Sequence, residues 1–110
     1  MPRAAEGELV FVVDVSSFTK KGFIASTTFG GSPVDIEFDD GDEGITLRAE
    51  MARRIHVRKG SPVSVLVEDD KTQVTGSTVA SIGKVLRISD SKVYYAVGRE
   101  GGAIVRIRRP

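Results

Sequence analysis

Residues 44–68 read GITLRAEMARRIHVRKGSPVSVLVE, and a change of hydrophobic period inside this stretch decides the fold. Ile45-Thr46-Leu47 is a short strand-like run. Leu47, Met51 and Ile55 then recur at i, i+4 and i+8, the spacing of one helical face. Ala49, Glu50, Met51 and Ala52 are all good helix formers, so a helix is predicted over 48–54. It makes about two turns, too few to be stable alone, and must dock on a sheet. Lys59-Gly60-Ser61-Pro62 turns the chain. Beyond it Val63, Val65 and Val67 alternate with Ser64, Leu66 and Glu68, the period of a strand with one face buried.

The same grammar extends outward. Upstream, Leu9 to Val15 is a nearly continuous apolar run, and Phe23 to Thr28 follows a Lys20-Lys21-Gly22 turn. After the Gly30-to-Pro33 breaker, Val34, Ile36 and Phe38 alternate with Asp35, Glu37 and Asp39. Asp40-Gly41 reads as a hairpin turn returning through Ile45 to Leu47. Downstream, turns are expected at 69–71, Gly76-Ser77 and Gly83. Strands are expected at 73–75, 78–82, 84–89, 92–97 and 103–108. The pair 84–89 and 92–97 reads as a hairpin around Asp90-Ser91, and the glycine-rich Gly98 to Gly102 as a second hairpin loop. About eight short strands with one short helix near 48–54 specify an all-β small barrel, one domain over 1–110. Gly31-Ser32-Pro33-Val34 is echoed by Gly60-Ser61-Pro62-Val63, which raises the question of a duplicated strand unit.

Composition bounds the function. The chain has 110 residues, 40% hydrophobic and 28% charged, enough for a core and too apolar for disorder. No apolar run approaches the roughly 18 residues of a membrane span. Met1-Pro2-Arg3 precedes Glu6 and Glu8 with no long apolar block, so no secretory signal is expected and the expected location is cytoplasmic. Cysteine is absent, which removes disulfides, thiolate metal sites and cysteine nucleophiles together. The net charge of +1 hides an asymmetry, because residues 1–50 carry −6 and residues 51–110 carry +7. An acidic strand at 34–40 meeting the basic half of a second copy would make a homodimer.

Residues 44–68 resemble the core unit of cradle-loop barrels, which include AbrB-like swapped-hairpin DNA-binding domains and double-psi barrels. Their pattern is a short strand, a helical turn with a carboxylate, an apolar step, a Lys-x-Gly turn and an alternating strand. Here these are Ile45-Thr46-Leu47, Glu50 to Arg54, Ile55-His56-Val57, Lys59-Gly60 and Val63 to Val67. The family's usual glycine in the apolar step is His56, and its acidic residue after the turn glycine is Ser61. The resemblance covers 25 of 110 residues. It implies a fold rather than a reaction, because such barrels host DNA binders, cofactor-binding domains and enzymes. In AbrB-like proteins the basic residues here, matching Arg53, Arg54, Arg58 and Lys59, would face DNA phosphates. Arg54 and Arg58 also form the R-x-x-x-R half of a signature similar to that of PilZ-like cyclic-dinucleotide binders. Its D/N-x-S-x-x-G half is not matched, since Ser81 and Gly83 are one residue too close.

Catalytic chemistry is poorly supplied. His56, the only histidine, lies between Ile55 and Val57 and should point away from the core. The carboxylates at 35, 37, 39, 40, 42 and 43 do not have the spacing of a Ca²⁺ loop and read as a solvated face. Two tyrosines and no tryptophan give little for base stacking. The expectation is a non-catalytic binding or assembly module without cofactor or metal. An AbrB-like DNA-binding regulator using Arg53, Arg54, Arg58 and Lys59 is the alternative, and a PilZ-like binder a further one. Arg99, Arg106, Arg108 and Arg109 form a second basic run.

Overall fold

The computed structural model describes residues 3–68 and 72–110, so the turn expected at 69–71 lies outside the described residues. The elements are β1 (Glu8–Phe18), β2 (Gly22–Phe29), β3 (Ser32–Asp39), β4 (Gly44–Arg48), α1 (Ala49–Arg54), β5 (Pro62–Glu68), β6 (Gln73–Gly83), β7 (Arg87–Ser89), α2 (Ser91–Glu100) and β8 (Gly102–Arg108). The strands close into an eight-stranded barrel in the order β1-β2-β3-β7-β4-β6-β5-β8. The small β-barrel and the helix after β4 are therefore the observed fold. No helix among the described residues is long and apolar enough to cross a membrane.

Strand alternation builds the core. Leu9, Phe11 and Val13 of β1, Val34, Ile36 and Phe38 of β3, and Val63, Val65 and Val67 of β5 all point inward and are buried. α1 contributes Met51 and Ala52, with Ile55 just beyond it. Gly30 and Gly31, both at positive φ, make the two-residue turn between β2 and β3, with Phe29 opposite Ser32. The two Gly-Ser-Pro-Val segments share a local device: Gly31 and Gly60 have positive φ, and Val34 and Val63 are buried. Their surroundings differ. β3 lies beside β2 and a parallel β7, whereas β5 lies beside β6 and β8, both antiparallel.

Three expectations are overturned. First, 92–97 is not a strand but the middle of α2. Asp90 is its N-cap, accepting from the Val93 N–H at 2.9 Å, and Gly101 ends it in the left-handed conformation at φ 75°. Val93, Ala96 and Val97 form the buried face. Valine and tyrosine favour strands, but the i, i+3, i+4 spacing and the two caps outweigh that propensity. Gly98 to Gly102 is consequently a helix end, not a hairpin loop. Second, β3 and β4 do not form a hairpin through Asp40-Gly41. β7 lies between them, parallel to β3 and antiparallel to β4. Asp39 Oδ1 accepts from the Gly41 N–H and from the Ser89 hydroxyl, which ties the turn to β7 instead. Third, the segments 73–75 and 78–82 are one continuous β6, and of 84–89 only the last three residues are strand.

Across the β1–β8–β5 seam Arg106 bonds Glu68 at 2.7 Å and Glu8 at 2.9 Å. The hydrogen bond to Glu68 raises the Arg106 pKa above its ordinary value; desolvation opposes this and Glu8 adds to it. Glu8, 4% exposed, also lies 3.8 Å from Arg108. Arg106 and Arg108, read from the sequence as part of a basic run, thus hold strands together.

Ile88 is the fully buried centre of β7. Ile88→Ala is expected to cost about 2–5 kcal/mol, seen as a lowered urea midpoint. Among the described residues Thr27 Oγ1 is buried without a hydrogen-bond partner. Thr27→Val is therefore expected to raise the midpoint, by about 1 kcal/mol. An unchanged midpoint for Ile88→Ala would remove β7 from the barrel.

Candidate nucleic-acid interface

β4 runs from the turn at 40–43 toward the opposite end of the barrel, where the chain turns over as α1. Burial of Met51 and Ala52 leaves Arg53 and Arg54 on the solvent face. Both lie in the last turn, where cations oppose the partial negative charge of the helix C-terminus. Arg54 sits with its guanidinium 5.5 Å from the centre of the Phe29 ring, a cation–π contact.

The helix stops through a Schellman motif. The Val57 N–H reaches the Ala52 carbonyl at 3.0 Å and the His56 N–H the Arg53 carbonyl at 3.2 Å. This geometry puts the first residue past the C-cap, the donor of the inner bond, in the left-handed region, and His56 has φ 57°. The position is usually glycine, as it is in the pattern that 44–68 resembles. His56 is exposed, as its place in the sequence predicts.

The following turn is tied on both sides. The Ser61 Oγ accepts from the Arg58 N–H at 2.9 Å and the Ser61 N–H donates to the Arg58 carbonyl at 2.9 Å. Gly60 N–H reaches the Val79 carbonyl of β6 at 2.8 Å. Arg58 and Lys59 are exposed on this anchored loop.

The structure therefore places Arg53, Arg54, Arg58 and Lys59 on one end of the barrel. Among the described residues none of the four forms an ion pair. Arg109 reaches the same end from the C-terminal segment: a groove of about 360 Å³ is lined by Val57, Ser61, Pro62, Arg109 and Pro110, while the Arg109 guanidinium lies beside Gly7. Arg109 was visible in the sequence only as part of a basic tail. Its placement comes from the pairing of β8 with β5, in which Arg108 opposes Ser64.

The other sequence candidates fare differently. The acidic strand face is partly satisfied within the chain, since Glu37 pairs with Arg87 at 3.1 Å and Asp39 is held by Ser89 and Gly41. Ser81, which stands nearest to the missing half of the cyclic-dinucleotide signature, shares a 2.9 Å hydrogen bond with Thr46 inside the sheet. A feature the sequence reading missed is a cleft of about 880 Å³ at the far end, between the β1–β2 and β3–β4 turns. Its one sequence signal is Phe18, an apolar residue just ahead of a lysine turn. No protein-family model, curated protein or solved structure matches this chain.

Relieving the left-handed strain should be measurable. His56→Gly is expected to raise the thermal midpoint, with a gain of about 1 kcal/mol, while His56→Val is expected to lower it. A lower midpoint for His56→Gly would show that the imidazole itself holds this turn.

Proposed function

We propose that the protein is a non-catalytic binding module whose basic end engages the phosphate backbone of nucleic acid, with duplex DNA as the first ligand to test. The observation that carries this reading is the exposed cluster of Arg53, Arg54, Arg58 and Lys59, without ion pairs among the described residues, on a helix end and loop fixed by backbone hydrogen bonds. Elsewhere in the barrel Arg87, Arg106 and Arg108 are bonded to carboxylates. The arginines within the sheet are thus paired, whereas the four cations of this end, among the described residues, are not. Their mutual repulsion is relieved by a polyanion and by counterions, and release of those counterions drives phosphate binding. The resemblance of 44–68 to AbrB-like units supports the same reading, since the matching basic residues there face phosphates.

Backbone contacts of this kind give affinity without sequence preference. Arg54 can leave Phe29 for a phosphate at a cost of about 0.5–1 kcal/mol, small beside a charge-assisted contact of about 1.5–3 kcal/mol.

Fluorescence anisotropy of a labelled duplex across a salt series tests the reading. With four or five phosphates engaged, the slope of log affinity on log salt should be about −4. Arg53→Gln, Arg58→Gln and Lys59→Gln should each weaken binding regardless of sequence and make the slope shallower by about 1. Absence of binding at about 50 mM salt, or binding with no salt dependence, would overturn it.

A further inference from the structure

The far end of the barrel carries a different chemistry. Five of the seven aromatic residues meet there. Phe23 stacks on Phe38 at 4.9 Å, meets Tyr94 at 5.2 Å and receives the edge of Phe18 at 6.4 Å, while Tyr94 meets Tyr95 at 5.0 Å. Phe23 and Phe38 are buried, but Phe18 is 80% exposed. An aromatic ring held against a cluster and left open to water is apolar surface awaiting a cover.

Above this floor stands the cleft of about 880 Å³. One wall, the β1–β2 turn, carries Lys20 and Lys21. The other, the β3–β4 connection, carries Asp40 and Glu43. Both lysines and both carboxylates line the cleft, and among the described residues none of the four is in an ion pair. The walls are fixed rather than floppy. Thr19 Oγ1 accepts from the Gly22 N–H at 3.0 Å and the Thr19 N–H donates to the Gly22 carbonyl at 2.9 Å. A side chain at Gly22 would collide with the Phe38 carbonyl oxygen. Opposite it, Asp39 holds the Gly41 N–H and the Ser89 hydroxyl, and the Glu43 N–H reaches Ser89 Oγ at 3.4 Å. Lysines and carboxylates thus stand on opposite walls whose backbone is fixed, with the aromatic floor between them, and a fixed backbone lowers the ordering cost of binding.

Charge complementarity selects the occupant. A nucleic-acid strand would bring phosphates against Asp40 and Glu43. A purely apolar ligand would leave the charges of both walls without partners. A polypeptide can supply both signs around an apolar anchor. We propose that this cleft docks an extended peptide segment of a partner protein, an aromatic side chain on Phe18 and Tyr94 flanked by a basic residue toward Asp40 and Glu43 and an acidic residue toward Lys20 and Lys21.

The protein has no tryptophan, so a tryptophan probe reports its own binding. Acetyl-Lys-Trp-Glu-amide, titrated with the full chain, should show a saturable blue shift of its fluorescence. Phe18→Ser, at a position too exposed to unfold the barrel, should weaken that binding at least about tenfold with an unchanged far-ultraviolet circular dichroism spectrum. Acetyl-Lys-Trp-Lys-amide and acetyl-Glu-Trp-Glu-amide should each bind more weakly than the mixed probe. Three results would overturn the proposal: no saturable shift, equal binding by Phe18→Ser, or displacement of Phe18 resonances by a single-stranded oligonucleotide instead of the peptide.

Discussion

Closure of the barrel rests on a three-residue strand. β7 supplies Arg87, Ile88 and Ser89 opposite Glu37, Phe38 and Asp39 on one side, and opposite Thr46, Ile45 and Gly44 on the other. Without it β3 and β4 would present unpaired N–H and C=O groups as edges, a state that sheets avoid by closing. The pairing is reinforced at every residue: Arg87 by Glu37 outside, Ile88 by burial inside, Ser89 by Asp39 at the rim. This insertion also fixes what lies at each end. The chain leaves β7 beside the acidic turn, so α2 starts there and brings Tyr94 and Tyr95 to the aromatic cluster. β4 runs the other way, so α1 and its arginines turn over the opposite end.

The rigid wall between the ends gives the charge asymmetry of the sequence a spatial meaning. Arginines embedded in the sheet are used up by Glu8, Glu37 and Glu68. Arg53, Arg54, Arg58 and Lys59, at the other end, form no ion pair among the described residues. Exposed ion pairs contribute little to stability, about 0–1 kcal/mol each, so leaving such cations unpaired costs the fold little. The same holds for Lys20, Lys21, Asp40 and Glu43 around the cleft, which form no ion pair among the described residues. Both candidate surfaces are therefore built from residues that the fold does not need, mounted on turns that it does.

What could be read from the sequence was local. The period-two runs at 34–38 and 63–67 and the Leu47, Met51, Ile55 spacing dictate elements through nearest neighbours, and these elements are present. The exposure of Arg53 and Arg54 follows directly from the buried face of α1. What could not be read was long-range or carried conflicting local signals. The parallel pairing of β7 with β3 joins residues 50 apart, and Asp40-Gly41 satisfies hairpin chemistry just as well as a turn stapled to Ser89. In 91–100, strand-favouring Val93, Tyr94 and Tyr95 mask a helix whose signals are a capping Asp90 and a terminal Gly101. The cleft and the position of Arg109 depend on those same distant pairings, which is why neither was visible.

We propose that the two ends are separate surfaces, with phosphates taken only at the α1 end. An amide chemical-shift map of the isotope-labelled protein, recorded as a DNA duplex is added, tests this most directly. Shifts concentrated at Arg53 through Ser61 and at Arg109, with Phe18 through Gly22 and Asp40 through Glu43 unmoved, are the expected result. Shifts centred on the aromatic end, or spread evenly over both, would contradict it.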